Sequence, residues 1–165
     1  MIAFVVFSCL LIIVSCHSTV NEWRKPTTKD LADNLDWRKE DPQLYLVAKS
    51  DFDGDGETDI AELLINDKNN RMGLFVKLSN QPDGEPIKLE EFDGKVWIEV
   101  IGIEVAGSGE YRTACGKGYF DCREGEPEIL ILKIPAINLF NFEGANSFFV
   151  WDEKTHKFKR IWMSD

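Results

Sequence analysis

Residues 51 to 62 read "DFDGDGETDIAE", with carboxylates at Asp51, Asp53 and Asp55 and again at Glu57, Asp59 and Glu62. Gly54 and Gly56 allow the backbone to turn sharply between them. Carboxylates held this close repel one another strongly unless a cation sits among them. The spacing matches D-x-[DN]-x-[DN]-G-x5-E in full. A hard cation taking six to eight oxygens suits that donor set, whereas magnesium keeps more of its water and needs fewer protein ligands. Calcium is therefore the first reading. The plainer alternative, an acidic surface turn that binds nothing, explains poorly why glycine follows both the second and the third aspartate.

A second group with chemical potential is Cys115 and Cys122 in "ACGKGYFDC", and its meaning depends on the compartment. The first sixteen residues, "MIAFVVFSCLLIIVSC", carry no charge and fall short of the roughly 20 residues a membrane-spanning helix needs. Residues 1–15 are read as an export signal. Within them "IVSC", ending at Cys16, resembles the lipobox of bacterial lipoproteins, in which cleavage precedes a cysteine that is lipidated. That resemblance implies that Cys16 carries the lipid and, with His17 behind it, that the protein is sorted to the periplasmic side of an outer membrane. Cleavage after Ser18 and plain secretion is the alternative. In an oxidising compartment the two later cysteines, spaced by glycines that let the loop fold back, most simply form a disulfide. Zinc would ask for a C-x-x-C spacing or nearby histidines, and neither is present.

Little else in the chain invites catalysis. After the leader, the histidines are His17 and His156, so a nucleophile would have one remote candidate base. The carboxylates of "CREGEPE" and Asp121 could be imagined as a glycosidase pair, but with 29 acidic residues such pairs arise by chance. The glycines of "GSGEY" and "GKG" lack phosphate-loop spacing and read as turns. The chain is read as non-enzymatic. Tyr111, Arg112, Tyr119 and Phe120, around the cysteine loop, have the composition of binding hot spots and form a candidate recognition loop. Their plainer role is to pack on the sheet.

The elements that must hold these groups follow from composition and pattern. The chain has 165 residues, 44% hydrophobic and 12% aromatic, enough for one domain with a real core rather than a disordered acidic tail. A net charge of -10 with no basic stripe argues against nucleic acid as a partner. Residues 16–41 read as a tether and one short helix, with Thr28 as cap, Leu31, Leu35 and Trp37 on one side, and Pro42 ending it. Residues 42–165 form the calcium-binding domain, expected to be a single antiparallel β domain of about 6–8 strands. "LYLVAK" precedes the acidic loop; "IAELLIN" and "MGLFVKLS" follow as a hairpin around "DKNNR". "IKLEEF", a "DG" turn and "KVWIEVIGIEVAG" give the strongest hairpin signal. "EILILKI", broken by Pro135, and two aromatic-rich runs around "DEKTHK" complete the set.

A loop of this type could belong to more than one calcium fold. An EF-hand needs a helix on each side, but the flanks read as strands, and Thr58 stands where EF-hands usually place an aliphatic residue. The fuller resemblance is to the DxDGDGxxD loop of FG-GAP or VCBS-type repeats, in which strand, calcium loop and strand follow directly. It implies side-chain ligands from Asp51, Asp53, Asp55 and Asp59 and the backbone carbonyl of Glu57, and leaves Glu62 outside the set. The metal lies between strands and far in sequence from any acid–base pair, so a structural role is expected. Two functions follow: a lipid-anchored, calcium-stabilised envelope module that binds a protein partner, or a small periplasmic inhibitor or immunity-type protein acting on a hydrolase through its cysteine loop.

Overall fold

In the computed structural model, the described residues are 22–31, 36–81, 83–142 and 144–164. The expected leader, lipidation at Cys16 and, of the tether and short helix, residues 16–21 and 32–35 lie outside them. The fold is mainly β, as expected, with three antiparallel sheets. The strands are β1 (Val47–Ser50), β2 (Asp59–Asn66), β3 (Arg71–Lys77), β4 (Ile87–Asp93), β5 (Ile101–Ala106), β6 (Gly109–Arg112), β7 (Ile129–Leu132), β8 (Ala136–Asn141), β9 (Asn146–Asp152) and β10 (Lys157–Ser164). One sheet has the order β1-β2-β3-β4, the second β10-β9-β8-β5, and β6 pairs with β7 alone.

Alternation places the core. Ala61, Leu63 and Ile65 of β2 point inward, as a strand with one buried face requires, while β3 is buried over its whole centre from Met72 to Val76. Together with Ile103, Ile137, Leu139 and Phe149 from the second sheet they form one core shared by the two larger sheets. A smaller core lies under β6–β7, where Leu130 and Leu132 meet Ala136, Phe148 and Met163.

One short stretch of backbone, Tyr45 and Leu46, hydrogen-bonds to both large sheets. The Leu63 N–H donates to the Leu46 carbonyl at 3.0 Å, and the Ile103 N–H donates to the Tyr45 carbonyl at 2.9 Å. Beside this seam lies Arg38, almost fully buried, whose guanidinium donates to the carbonyls of Leu44, Ile98 and Ile101. Burial without a carboxylate partner lowers its pKa to about 10.

Three expectations are corrected. The described residues form ten strands rather than six to eight, because β6 and β8 are short runs whose glycine, polar and proline neighbours hide them. The described residues contain no helix of seven residues or more. In place of the expected short N-terminal helix, Thr27 and Asp30 close a turn through the Asp30 carboxylate, and Asp36–Arg38 is a 3₁₀ turn; Leu35 lies outside the described residues. The hairpin expected at the "DG" of Asp93 and Gly94 does not form. Gly94, with φ at 111°, turns the chain into a 3₁₀ helix, Lys95–Glu99, which buries Ile98 and carries the chain to the other sheet, so that β5 pairs with β8. A tight turn would have kept both strands in one sheet and left Ile98 without the core.

Candidate metal centre

The acidic loop connects β1 to β2, and its shape comes from its own carboxylates. Asp51 accepts the N–H groups of Gly54 at 2.7 Å and Gly56 at 2.9 Å. Asp53 accepts from the Asp55 N–H, and Asp55 from the Glu57 N–H. Each is a local side-chain-to-backbone turn of the kind short acidic side chains make. Gly54 and Gly56 have φ of 83° and 92°, a region that glycine enters without steric cost. Between the aspartates, Phe52 is wholly buried and fixes the loop to the main core.

Asp59, the first residue of β2, closes the loop from the other side and is itself wholly buried. One of its oxygens accepts the Phe52 N–H at 2.8 Å, and the other accepts the Ser79 N–H at 2.9 Å. Ser79 and Asn80, just past β3, supply two further donors: the Ser79 hydroxyl reaches Asp55 at 3.1 Å and the Asn80 amide reaches Asp53 at 2.7 Å. Sequence spacing did not single out these two residues. The signal that could have found them is the β2–β3 register, in which Ile60 lies opposite Lys77 and so brings the residues after β3 to the start of β2.

One carboxylate oxygen each from Asp51, Asp53 and Asp59 can be chosen so that all lie within 4.8 Å of one another. Two ligands of one calcium ion can stand no farther apart than twice the metal–oxygen distance, about 5 Å, so the cluster is compatible with a shared ion without rearranging the backbone. The donor set is all oxygen, which suits a hard cation. Burial, and secondarily the carboxylates of Asp59 and Asp55, hold the Asp53 carboxyl above its ordinary range. A divalent cation would reverse that penalty.

The remaining expected ligands divide. Asp55 sits in the loop but is exposed and accepts the Ser79 hydroxyl, and Glu57, expected to offer its backbone carbonyl, is an exposed residue of the same loop. Glu62 lies on β2 and pairs with Lys25 instead of returning to the loop. Beside the loop a groove of about 450 Å³ is bordered by Asp53, Asp55, Asn80, Trp151 and His156.

The cysteine loop lies elsewhere, between β6 and β7. Cys115 and Cys122 form the expected disulfide. Thr113, buried beneath it, donates its hydroxyl to the Pro127 carbonyl and accepts the Gly116 N–H, while the Ala114 N–H donates to the Trp162 carbonyl on the edge strand β10. Of the four candidate recognition residues, Tyr111 turns inward: its ring meets Phe148 edge-on at 5.0 Å and its hydroxyl donates to the Gly107 carbonyl. Arg112, Tyr119 and Phe120 are exposed.

No family model matches the chain, and no curated protein or solved structure matches it.

Proposed function

We propose that the protein is a non-enzymatic, calcium-stabilised β domain that is exported, anchored in the cell envelope through lipid on Cys16, and used to bind a protein partner. The observation that carries the calcium part is the convergence of Asp51, Asp53 and the buried Asp59 on one point, within reach of a single ion. The resemblance of the loop to FG-GAP or VCBS-type sites supports the same ion. Calcium there acts as a joint. It would neutralise carboxylates contributed by the β1–β2 connection, which is itself tied to Ser79 and Asn80 beyond β3. In extracellular modules such ions bind with dissociation constants of about 10⁻⁴ to 10⁻³ M.

Occupancy at about ten times the dissociation constant stabilises the folded state by roughly 1.4 kcal/mol. The melting temperature should therefore rise in millimolar calcium, rise less in magnesium, and stop responding in Asp53→Ala. An Asp53→Ala variant that responds as fully as the wild type would refute the site. A second reading, an inhibitor or immunity-type protein acting on a hydrolase, is supported by the display of Tyr119 and Phe120 on a covalently closed loop.

A further inference from the structure

The surface around the cysteine loop combines two features. On the two larger sheets and their connections, Asp30, Asp67, Glu62, Glu22, Glu90, Glu91, Asp93 and Asp152 pair with Lys or Arg. Among the described residues, no ion pair involves Asp121, Glu124, Glu126 or Glu128, and residues 119–131 hold only Arg123 against these four. The nearest lysine in the loop, Lys117, is tied down by donating to the Met163 carbonyl at 2.7 Å.

The same surface carries apolar groups that the fold leaves in water. Tyr119 is 54% exposed, Phe120 41% and Trp162 40%. Phe120 and Trp162 line one small cleft with Pro127 and Glu126, so aromatic and acidic groups share a wall. On β7, Ile129 and Ile131 point away from the smaller core, and Ile131 is 68% exposed. The aromatics cannot sink into the core. The disulfide, together with backbone hydrogen bonds from Gly118 to Cys115 and from Tyr119 to Ala114, fixes the chain that bears them. A rigid display loses little conformational entropy on binding.

We infer that the cysteine loop and the adjoining β7 edge form a docking surface for a protein with a cationic surface, in which Phe120 and Trp162 provide the apolar centre and Asp121, Glu124, Glu126 and Glu128 the acidic rim. This rests on the reading of the domain as a binding module but not on the calcium site. Aromatic anchors at the centre carry affinity, while unpaired rim carboxylates steer a partner of opposite charge. The rim selects against other occupants. A second copy docking symmetrically would set these carboxylates against themselves, and anionic lipid or nucleic acid would meet the same repulsion.

The test is residue-resolved NMR of the full chain, disulfide intact, titrated with a short peptide alternating arginine and leucine. Shifts should concentrate at residues 119–131 and Trp162. Glu124→Lys with Glu126→Lys should weaken binding by about tenfold or more, Phe120→Ser likewise, and the matched charge reversal Glu40→Lys with Asp83→Lys, at exposed residues outside both loops, should leave it unchanged. The melting temperature of each variant checks its fold, and the two surface charge reversals keep the test decisive if Phe120→Ser unfolds. Shifts centred on residues 51–59, equal affinity in the charge-reversed variant, concentration-dependent self-association through this face, or capture by vesicles of anionic lipid would each overturn the inference. Failure of calcium binding would not.

Discussion

Asp59 is wholly buried, and its carboxylate is held by two backbone N–H groups, those of Phe52 and Ser79. Asp59→Asn keeps the size but offers one acceptor, so its amide N–H₂ faces a backbone donor. A buried group left without its partner costs about 1–3 kcal/mol, and the urea midpoint in calcium-free buffer should fall accordingly. Asp55→Ala removes an exposed carboxylate and should cost much less. An equal loss in both variants would contradict the structural role given to Asp59. Gly116 is also tightly constrained, here by backbone. A Cβ there would stand 2.1 Å from the Glu128 carbonyl oxygen, so Gly116→Ala must displace backbone, at about 1–3 kcal/mol. At Gly118, with φ of 82° and open space around it, alanine meets strain alone and should cost about 1–2 kcal/mol. Denaturant unfolding of both variants ranks them. The aspartates were legible in the sequence because a loop closed by its own side chains writes its spacing locally; Ser79 and Asn80 were not, because strand register brings them to the loop.

At the scale of elements, two attachments can be tested separately. The segment before β1 continues the first sheet: Arg24 and Ile65 exchange backbone hydrogen bonds at 2.9 Å, and the Arg24 guanidinium grips Asp30. The hydrogen bonds from Arg24 hold the Asp30 carboxyl well below its ordinary 3.8. A carboxylate depressed on folding stabilises fully above the unfolded value and loses that contribution as the pH falls toward the folded one. The stability gap between wild type and Asp30→Asn should therefore be largest near pH 6 and shrink as the pH drops below about 4. A gap that stays constant over that range would contradict the pairing. The second attachment is the disulfide, whose closure of so short a loop is worth about 2.5 kcal/mol on the chain-entropy estimate. Reduction should lower the melting temperature while leaving the calcium response intact, because the two loops lie on different connections. Loss of that response on reduction would contradict their independence. The expected hairpin at Gly94 shows the limit of local pattern. "DG" between apolar runs is a strong turn signal, yet the burial of Ile98 and the pairing of β5 with β8 are decided by the whole core.

For the molecule as a whole, the β class was legible in the alternation of β2 and in the aromatic-rich β9 and β10. The distribution into two large sheets and a small one was not, since nothing local marks the seam at Tyr45 and Leu46 or the buried guanidinium of Arg38 beside it. The acidic loop sits where several parts of this arrangement meet: β1 and β2, the chain beyond β3, and Ile134, whose side chain lies within 3.5 Å of a Cβ built on Gly54. An ion there would brace connections far apart in sequence. Titration calorimetry of the disulfide-bonded chain with calcium chloride tests that claim most directly. The proposed calcium site predicts binding near one equivalent, with a dissociation constant of about 10⁻⁴ to 10⁻³ M, abolished by Asp53→Ala and not reproduced by magnesium at the same concentration. No binding heat and no change in melting temperature at millimolar calcium would contradict it.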